Sequence, residues 1–167
     1  MYELHLQQTE YDKGSFFAAY KSLKTEFAQV RQAAFSIDKQ SLVITVAGDA
    51  GKRFQEENNV SFTDAGWFNL FSYNWLAGSP AQLDEPGNVV LRKKIADKYF
   101  GDAYPIGRIL LINNQPLKVT GVIADGPYNT DLKSDLYISA NSVLTLMLSY
   151  GKGFFQDWGY LNSTTRR

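Results

Sequence analysis

Apolar and polar residues alternate through Tyr2-Glu3-Leu4-His5-Leu6-Gln7, which predicts a half-buried strand. After Asp12-Lys13-Gly14 the spacing lengthens. With Ser15 as cap, Phe16, Tyr20, Leu23, Phe27 and Val30 recur every three or four residues, one apolar face over about four helical turns. Residues 33–37 form a short apolar segment, and Ser41-Leu42-Val43-Ile44-Thr45-Val46-Ala47 is β-branched and strand-like. Gly48-Asp49-Ala50-Gly51-Lys52 reads as a turn, and polar residues 55–59 lead into a strand over residues 59–62. Thr63 or Asp64 can cap a short helix carrying Trp67, Phe68, Leu70 and Phe71. Trp75-Leu76-Ala77-Gly78-Ser79-Pro80 then turns into a loop holding Pro86-Gly87.

The pattern is densest over residues 88–139. An apolar strand, Val89-Val90-Leu91, runs into a basic-headed helix that stops at Gly101, where a glycine-favouring conformation is expected. Pro105-Ile106-Gly107 turns into two strands separated by Asn113-Asn114-Gln115, and the second ends in Val119-Thr120-Gly121-Val122-Ile123. Gly121 inside that strand predicts a close backbone approach. A Gly-Pro-Asn-rich loop follows, and Ser139 caps a last helix through Val143, Leu144 and Met147. Gly151-Lys152-Gly153 breaks that helix before a further aromatic segment over residues 154–161. Strands and helices alternate without a regular βαβ period, so the class is α+β.

At 167 residues the chain makes one domain, or two small lobes, with room for a proper core. Seventeen basic residues balance seventeen acidic ones, which leaves no surplus to neutralise phosphates and argues against a nucleic-acid partner. There is no cysteine, which suits any redox compartment. No run reaches the ~20 apolar residues of a membrane span. No basic segment followed by an apolar one opens the chain, so no leader is predicted, and both ends read as cuts from something longer.

Candidate chemistry is sparse. Gly48-Asp49-Ala50-Gly51-Lys52 follows a strand as a phosphate loop would. It has two residues between its glycines where that loop has four, and Arg53 stands where Ser or Thr is needed, so a connecting turn is the better reading. His5 is the only histidine, and with no cysteine it cannot make an ordinary zinc site. A triad would have to be built on it, no Gly-x-Ser-x-Gly elbow supplies the nucleophile, and it reads as a surface residue. Asp125, Asp131 and Asp135 offer oxygen ligands for calcium, but not at EF-hand spacing. Arg92-Lys93-Lys94 opens a helix, where the macrodipole favours acids, and reads as a solvated face or a contact for a partner or lipid head groups. Trp67, Phe68, Phe71, Tyr73 and Trp75 form the densest aromatic cluster. At helical spacing it reads first as core, and second as a surface for a glycan or partner centred on Trp67, Phe68 and Trp75. No catalytic, cofactor or metal residue is assigned.

Order and spacing add more than any single motif. Leu76-Ala77-Gly78-Ser79-Pro80-Ala81-Gln82-Leu83-Asp84-Glu85-Pro86 precedes Val89-Val90-Leu91. Ile95-Ala96-Asp97-Lys98-Tyr99-Phe100-Gly101, Pro105-Ile106-Gly107-Arg108 and Val119-Thr120-Gly121-Val122-Ile123-Ala124-Asp125 follow. Asn129-Thr130-Asp131-Leu132 and Asp135-Leu136-Tyr137-Ile138-Ser139 complete the series. Over residues 60–148 the chain resembles the periplasmic core domain of MacB-like ABC transporter permeases, whose membrane part is FtsX-like, in the form found in Bacteroidetes. It departs from many relatives in the loop at residues 126–132, where they carry Asn-Ser-His.

The resemblance implies an extracytoplasmic domain set between transmembrane helices. It implies two lobes: a porter-like α/β lobe from residues 1–50 and 130–167, and an inserted, mostly-β lobe from residues 51–129. It also implies a non-catalytic role, with no cofactor, coupling cytoplasmic ATP hydrolysis to export of a peptide, lipid or drug, or to mechanotransmission across the envelope. The expected partners are a cytoplasmic ATPase subunit reached through the membrane part, a second permease in a dimer, and a membrane-fusion protein. The alternative is a stand-alone periplasmic domain that binds or senses a glycan or peptide on the Trp67–Trp75 cluster.

Overall fold

The computed structural model describes residues 20, 22, 26, 28, 30–39, 41–57, 59–126 and 134–142. The strands are β1 (Ser36–Lys39), β2 (Leu42–Val46), β3 (Asp49–Glu56), β4 (Val60–Thr63), β5 (Trp75–Ala77), β6 (Asn88–Arg92), β7 (Ile109–Ile112), β8 (Gln115–Ile123) and β9 (Leu136–Ser139). Two helices, α1 (Ala65–Leu70) and α2 (Lys93–Phe100), and a 3-10 turn at Pro80–Asp84 complete the described elements.

All nine strands join one sheet in the order β1-β4-β9-β6-β8-β7-β2-β3, with β5 paired to β8. The β4–β9 and β6–β8 pairs are parallel and the others antiparallel. Residues 88–139 therefore supply the middle of the sheet. β6 lies over residues 118–123 of β8, so β7 and β5 share the opposite edge, β7 against residues 115–118 and β5 against residues 122–123.

Side chains from the central strands feed two cores, because successive residues of a strand point to opposite faces. Val89, Leu91, Leu136 and Ile138 join Leu42, Ile44, Leu110, Leu117 and the helix residues Ile95, Ala96, Tyr99 and Phe100 in one core. Val90, Tyr137 and Ile123 join Phe68 and Leu83 in the other. Burial on both faces explains why Val89-Val90-Leu91 is uniformly apolar, whereas β2 alternates buried and half-buried positions. Helix α2 covers one face, and α1 with the 3-10 turn covers the other.

The expected strand over residues 41–47, the Asp64-capped aromatic helix and the basic-headed helix ending at Gly101 (φ +60) are all present. Asn113 (φ +48) and Asn114 (φ +67) form the two-residue connection of the β7–β8 hairpin, where both central residues need positive φ. Three expectations are corrected. Residues 49–52 are not a turn but the start of β3; the chain reverses at Ala47-Gly48 instead. Pairing with β2 overrides the polar composition of β3, because the strand buries Glu56 and packs Phe54 while Asp49, Arg53 and Gln55 face water. Residues 75–77 form β5 rather than a turn. Ser139 ends β9 and does not cap a helix: its Oγ is buried with no hydrogen-bond partner.

Residues 20, 22 and 26 are helical, in keeping with the helix expected after Ser15. Val30, expected on the apolar face of that helix, is not helical and is exposed, so the helix stops short of it. The helix positions Phe16, Leu23 and Phe27, the strand at residues 2–7, His5, Asp131, the helix positions Val143, Leu144 and Met147 and the segment at residues 154–161 lie outside the described residues. The hairpin of β2 and β3 crosses residues 50 and 51, so the two lobe segments are hydrogen-bonded to each other there.

Candidate functional site

Phe68 lies at the centre of the aromatic cluster. It is buried, and its ring meets Tyr73, Trp75 and Tyr137 edge-on at 4.9, 5.1 and 5.1 Å between centroids. Edge-to-face contacts of this kind suit the ring quadrupoles. Trp67 and Trp75 are half-buried on the flanks, and Trp67 leans on Phe71 at 4.6 Å. Phe71, Leu70 and Leu76 are exposed at 37%, 45% and 50%. The structure thus brings Trp67, Phe68 and Trp75 together, but in different roles. Phe68 is the packing centre, while Trp67 and Trp75 keep an outer edge. Trp75 approaches so closely because Gly121 beneath it has no side chain; a Cβ there would stand 2.6 Å from the indole ring. This is the close approach expected of Gly121.

The polar groups of the cluster are chained together. Trp67 Nε1–H donates to the Tyr73 hydroxyl at 3.0 Å, and the Tyr73 and Tyr137 hydroxyls meet at 3.3 Å. Arg92 Nη2 donates to the Tyr137 hydroxyl at 3.4 Å, and the guanidinium stands 5.7 Å from the Tyr73 ring centroid.

Arg92 is 4% exposed and does not belong to a solvated face, the reading its run of three cations first suggests. It ends β6 on the aromatic side of the sheet. Its Nε donates to Ser134 C=O at 2.8 Å and Nη1 to Ala124 C=O at 3.3 Å, so one side chain holds both ends of the β8–β9 connection. Nε also stands 3.5 Å from Asp135 Oδ1. Gly126 leaves the space the guanidinium fills, since a Cβ there would lie 2.6 Å from Nη1. The other two cations of the run are paired. Lys93 binds Asp97 one turn on at 2.6 Å, and Lys94 Nζ reaches Asp135 at 2.8 Å.

The acid that the N-terminus of α2 lacks in its own sequence comes from elsewhere. Asp125 Oδ1 accepts the Lys94 N–H at 3.1 Å, which satisfies an end amide and complements the helix dipole. Asp125 and Asp135, considered above as calcium ligands, are therefore a helix cap and an ion-pair partner. Among the described residues no three acidic or histidine side chains converge as a metal cage.

Two further carboxylates fasten the helices. Glu56 Oε1 accepts from Lys98 Nζ at 2.6 Å and from the Tyr99 hydroxyl at 2.7 Å, while Phe54 stacks on Tyr99 at 4.6 Å, tying α2 to β3. Asp64 caps α1 through Trp67 N–H at 3.2 Å, takes Phe35 N–H at 3.2 Å and receives the Tyr20 hydroxyl. Asp64→Ala is expected to cost about 2 kcal/mol or more, since it removes a cap and leaves neighbouring donors unsatisfied. A thermal melt of the variant no lower than that of wild type would contradict this account of Asp64.

Three tyrosines carry a pH consequence. Burial pushes the Tyr20, Tyr99 and Tyr137 phenols well above the ordinary tyrosine value, and hydrogen bonds to Asp64, Glu56 and Tyr73 push in the same direction. The folded state thus prefers the protonated phenol more than the unfolded chain does. Stability is fully present below about pH 10 and falls as pH rises beyond it towards the raised values. Tyrosinate absorbance from these residues is expected to appear only with loss of the folded circular-dichroism signal. If all ten tyrosines of the chain ionise near their ordinary value with the fold intact, the account fails.

Fold and site together define an α+β domain on one mixed sheet, whose charged residues lock its own elements together. Residues 4–160 match the MacB-like periplasmic core domain, and the chain belongs to that family. It is 32% identical over 128 residues to the pyoverdine export ATP-binding/permease protein PvdT of Pseudomonas syringae pv. tomato, covering 71% of this chain. The chain spans only 19% of that relative's length.

Among solved structures it is similar to a domain of a putative permease from Porphyromonas gingivalis, with a TM-score of 0.61, 16% identity, and coverage of 73% of this chain and 56% of that one. The periplasmic region of MacB from Actinobacillus actinomycetemcomitans gives a TM-score of 0.60 at 18% identity, covering 86% and 61%. The extracellular domain of the transporter YknZ from Gram-positive bacteria gives 0.58 at 22% identity, covering 80% and 65%. The α+β class is the one these structures share. Among the described residues no helix is long and apolar enough to cross a membrane.

Proposed function

We propose that this domain is the non-catalytic periplasmic part of an inner-membrane ABC transporter permease, and that it passes on the work of cytoplasmic ATP hydrolysis as movement. The observation that carries the reading is the family match over residues 4–160. The locked sheet supports it, because a part that transmits force must not deform where the force enters. In this reading the permease is a dimer served by a cytoplasmic ATPase, with a membrane-fusion protein as a further partner. The outcome of the cycle is export or mechanotransmission. The two lobes, residues 1–50 with 130–167 and residues 51–129, are part of the proposal.

The gene supplies one check: spans of ~20 apolar residues should flank the domain, one upstream and about three downstream. Function supplies another. In the full-length permease, deletion of residues 4–160 should abolish export or signalling while nucleotide still binds the ATPase. Unimpaired output from the deleted protein would overturn the reading.

A second reading places a partner or glycan on Trp67 and Trp75, with Phe68 as the buried support. The observation favouring it is the exposure of Phe71, Leu70 and Leu76 beside two half-buried tryptophans. Trp67→Ala should then abolish saturable binding on a glycan or peptide array without unfolding the domain. Binding that survives the substitution sinks this second reading.

A further inference from the structure

Helix α2 and the aromatic cluster lie on opposite faces of the sheet, yet one series of polar contacts passes between them. It begins at Trp67 Nε1, crosses the Tyr73 and Tyr137 hydroxyls to the Arg92 guanidinium, and continues through Asp135 Oδ1 to Lys94 in the first turn of α2. The backbone reinforces it. Arg92 N–H donates to Asp135 C=O at 2.8 Å, and Asp125, next to the Ala124 carbonyl that Arg92 holds, caps α2. The sequence shaped room for this arrangement, since Gly126 is where a side chain would displace the guanidinium.

A sheet usually insulates its two faces, because contacts through it run only along the backbone. Here a buried arginine at the end of β6 lies beside Asp135, and that carboxylate reaches the helix on the far side. Arg92 and Asp135 are both almost fully buried, so their interaction is little screened by water. The hydroxyl contacts at 3.3 and 3.4 Å are long and weak, the Lys94–Asp135 pair at 2.8 Å is short, and Arg92 and Asp135 act on each other at 3.5 Å as two buried charges.

We propose that the chain Trp67–Tyr73–Tyr137–Arg92–Asp135–Lys94 couples the aromatic face to the N-terminal turn of α2, so that a load or ligand on one face changes the stability of the other. Arg92 and Asp135 act as positioning residues. Their part is to make two separately packed faces respond together. The use of such coupling rests on the reading of the domain as a relay, but its existence does not, and the two fail separately: the coupling is measured in this chain alone, and the relay in the full-length permease.

The test is hydrogen exchange with the 167-residue chain in four forms: wild type, Tyr73→Phe, Asp135→Asn and the double variant. Tyr73→Phe keeps the ring packed against Phe68 and removes only the hydroxyl. It is expected to speed exchange of the amides of residues 94 and 97–100 by about threefold, while the β2–β3 hairpin keeps its wild-type rate. In the double variant the acceleration should fall short of the product of the two single effects, the sign of a shared pathway. Should Asp135→Asn fail to fold, Lys94→Ala breaks the last link in its place. Unchanged α2 exchange in Tyr73→Phe overturns the proposal. Effects that simply multiply, or acceleration spread equally over the β2–β3 hairpin, overturn it as well.

Discussion

Gly78→Ala should unfold this domain at a much lower urea concentration than wild type, with a loss of about 3 kcal/mol or more. Two costs combine at the one residue. Gly78 holds φ at +79, where an alanine is strained by about 1–2 kcal/mol. A Cβ there would also stand 2.2 Å from the Thr120 carbonyl oxygen and 2.8 Å from Gly121 Cα, and both are backbone atoms of the central strand β8. Neither can swing aside, so β5 must leave β8 and draw Trp75 off Gly121. Gly87→Ala is the matched control. Its φ of +83 is similar, but nothing lies within 4 Å of the added carbon, so only the backbone strain remains, about 1–2 kcal/mol. Equal urea midpoints for the two variants would show that crowding at β8 has no part in the effect.

The sequence made the apolar skeleton readable because burial leaves a periodic trace. Val89-Val90-Leu91 lacks alternation since both its faces are covered, and β2 alternates since one face is. Asp64 and Gly101 announced helix ends by chemistry that acts within a turn of the chain. β3 and β5 left no such trace. β3 is a strand because β2 offers it hydrogen bonds, and β5 because the end of β8 is vacant beyond β7. Both reasons are tertiary.

The polar supports were hidden for the same reason. Arg92, Asp125, Asp135 and Glu56 are ordinary charged residues in a list of side chains. Their roles depend on partners 31 to 45 positions away. The one local hint was a contradiction: Arg92-Lys93-Lys94 sits at a helix start where cations are unfavourable. Such a mismatch points to acids supplied from elsewhere in the chain, and here Asp125 and Asp135 are those acids. The aromatic cluster was visible as a cluster. Which ring is buried was not, because Phe68 is set apart from Trp67 only by the turn of α1 that aims it at Tyr137.

Arg92→Met is the second large effect, expected at about 3 kcal/mol, because it leaves a buried carboxylate with only a half-exposed lysine and two carbonyls without their donors. Methionine matches the length and packing of the arginine stem, so little of the loss is cavity. Asp135 keeps Lys94, whose ammonium is more than half exposed and screened by water, and loses the buried guanidinium. The carbonyls of Ala124 and Ser134 lose their donors at the same time. Adding Asp135→Asn to Arg92→Met removes the stranded charge, so the double variant should recover part of the loss and melt above Arg92→Met alone. A purely steric role for Arg92 predicts the reverse, with the second substitution lowering the melting temperature further. Thermal melts of the two variants side by side decide between the charges and the packing as what holds the β8–β9 connection to the sheet.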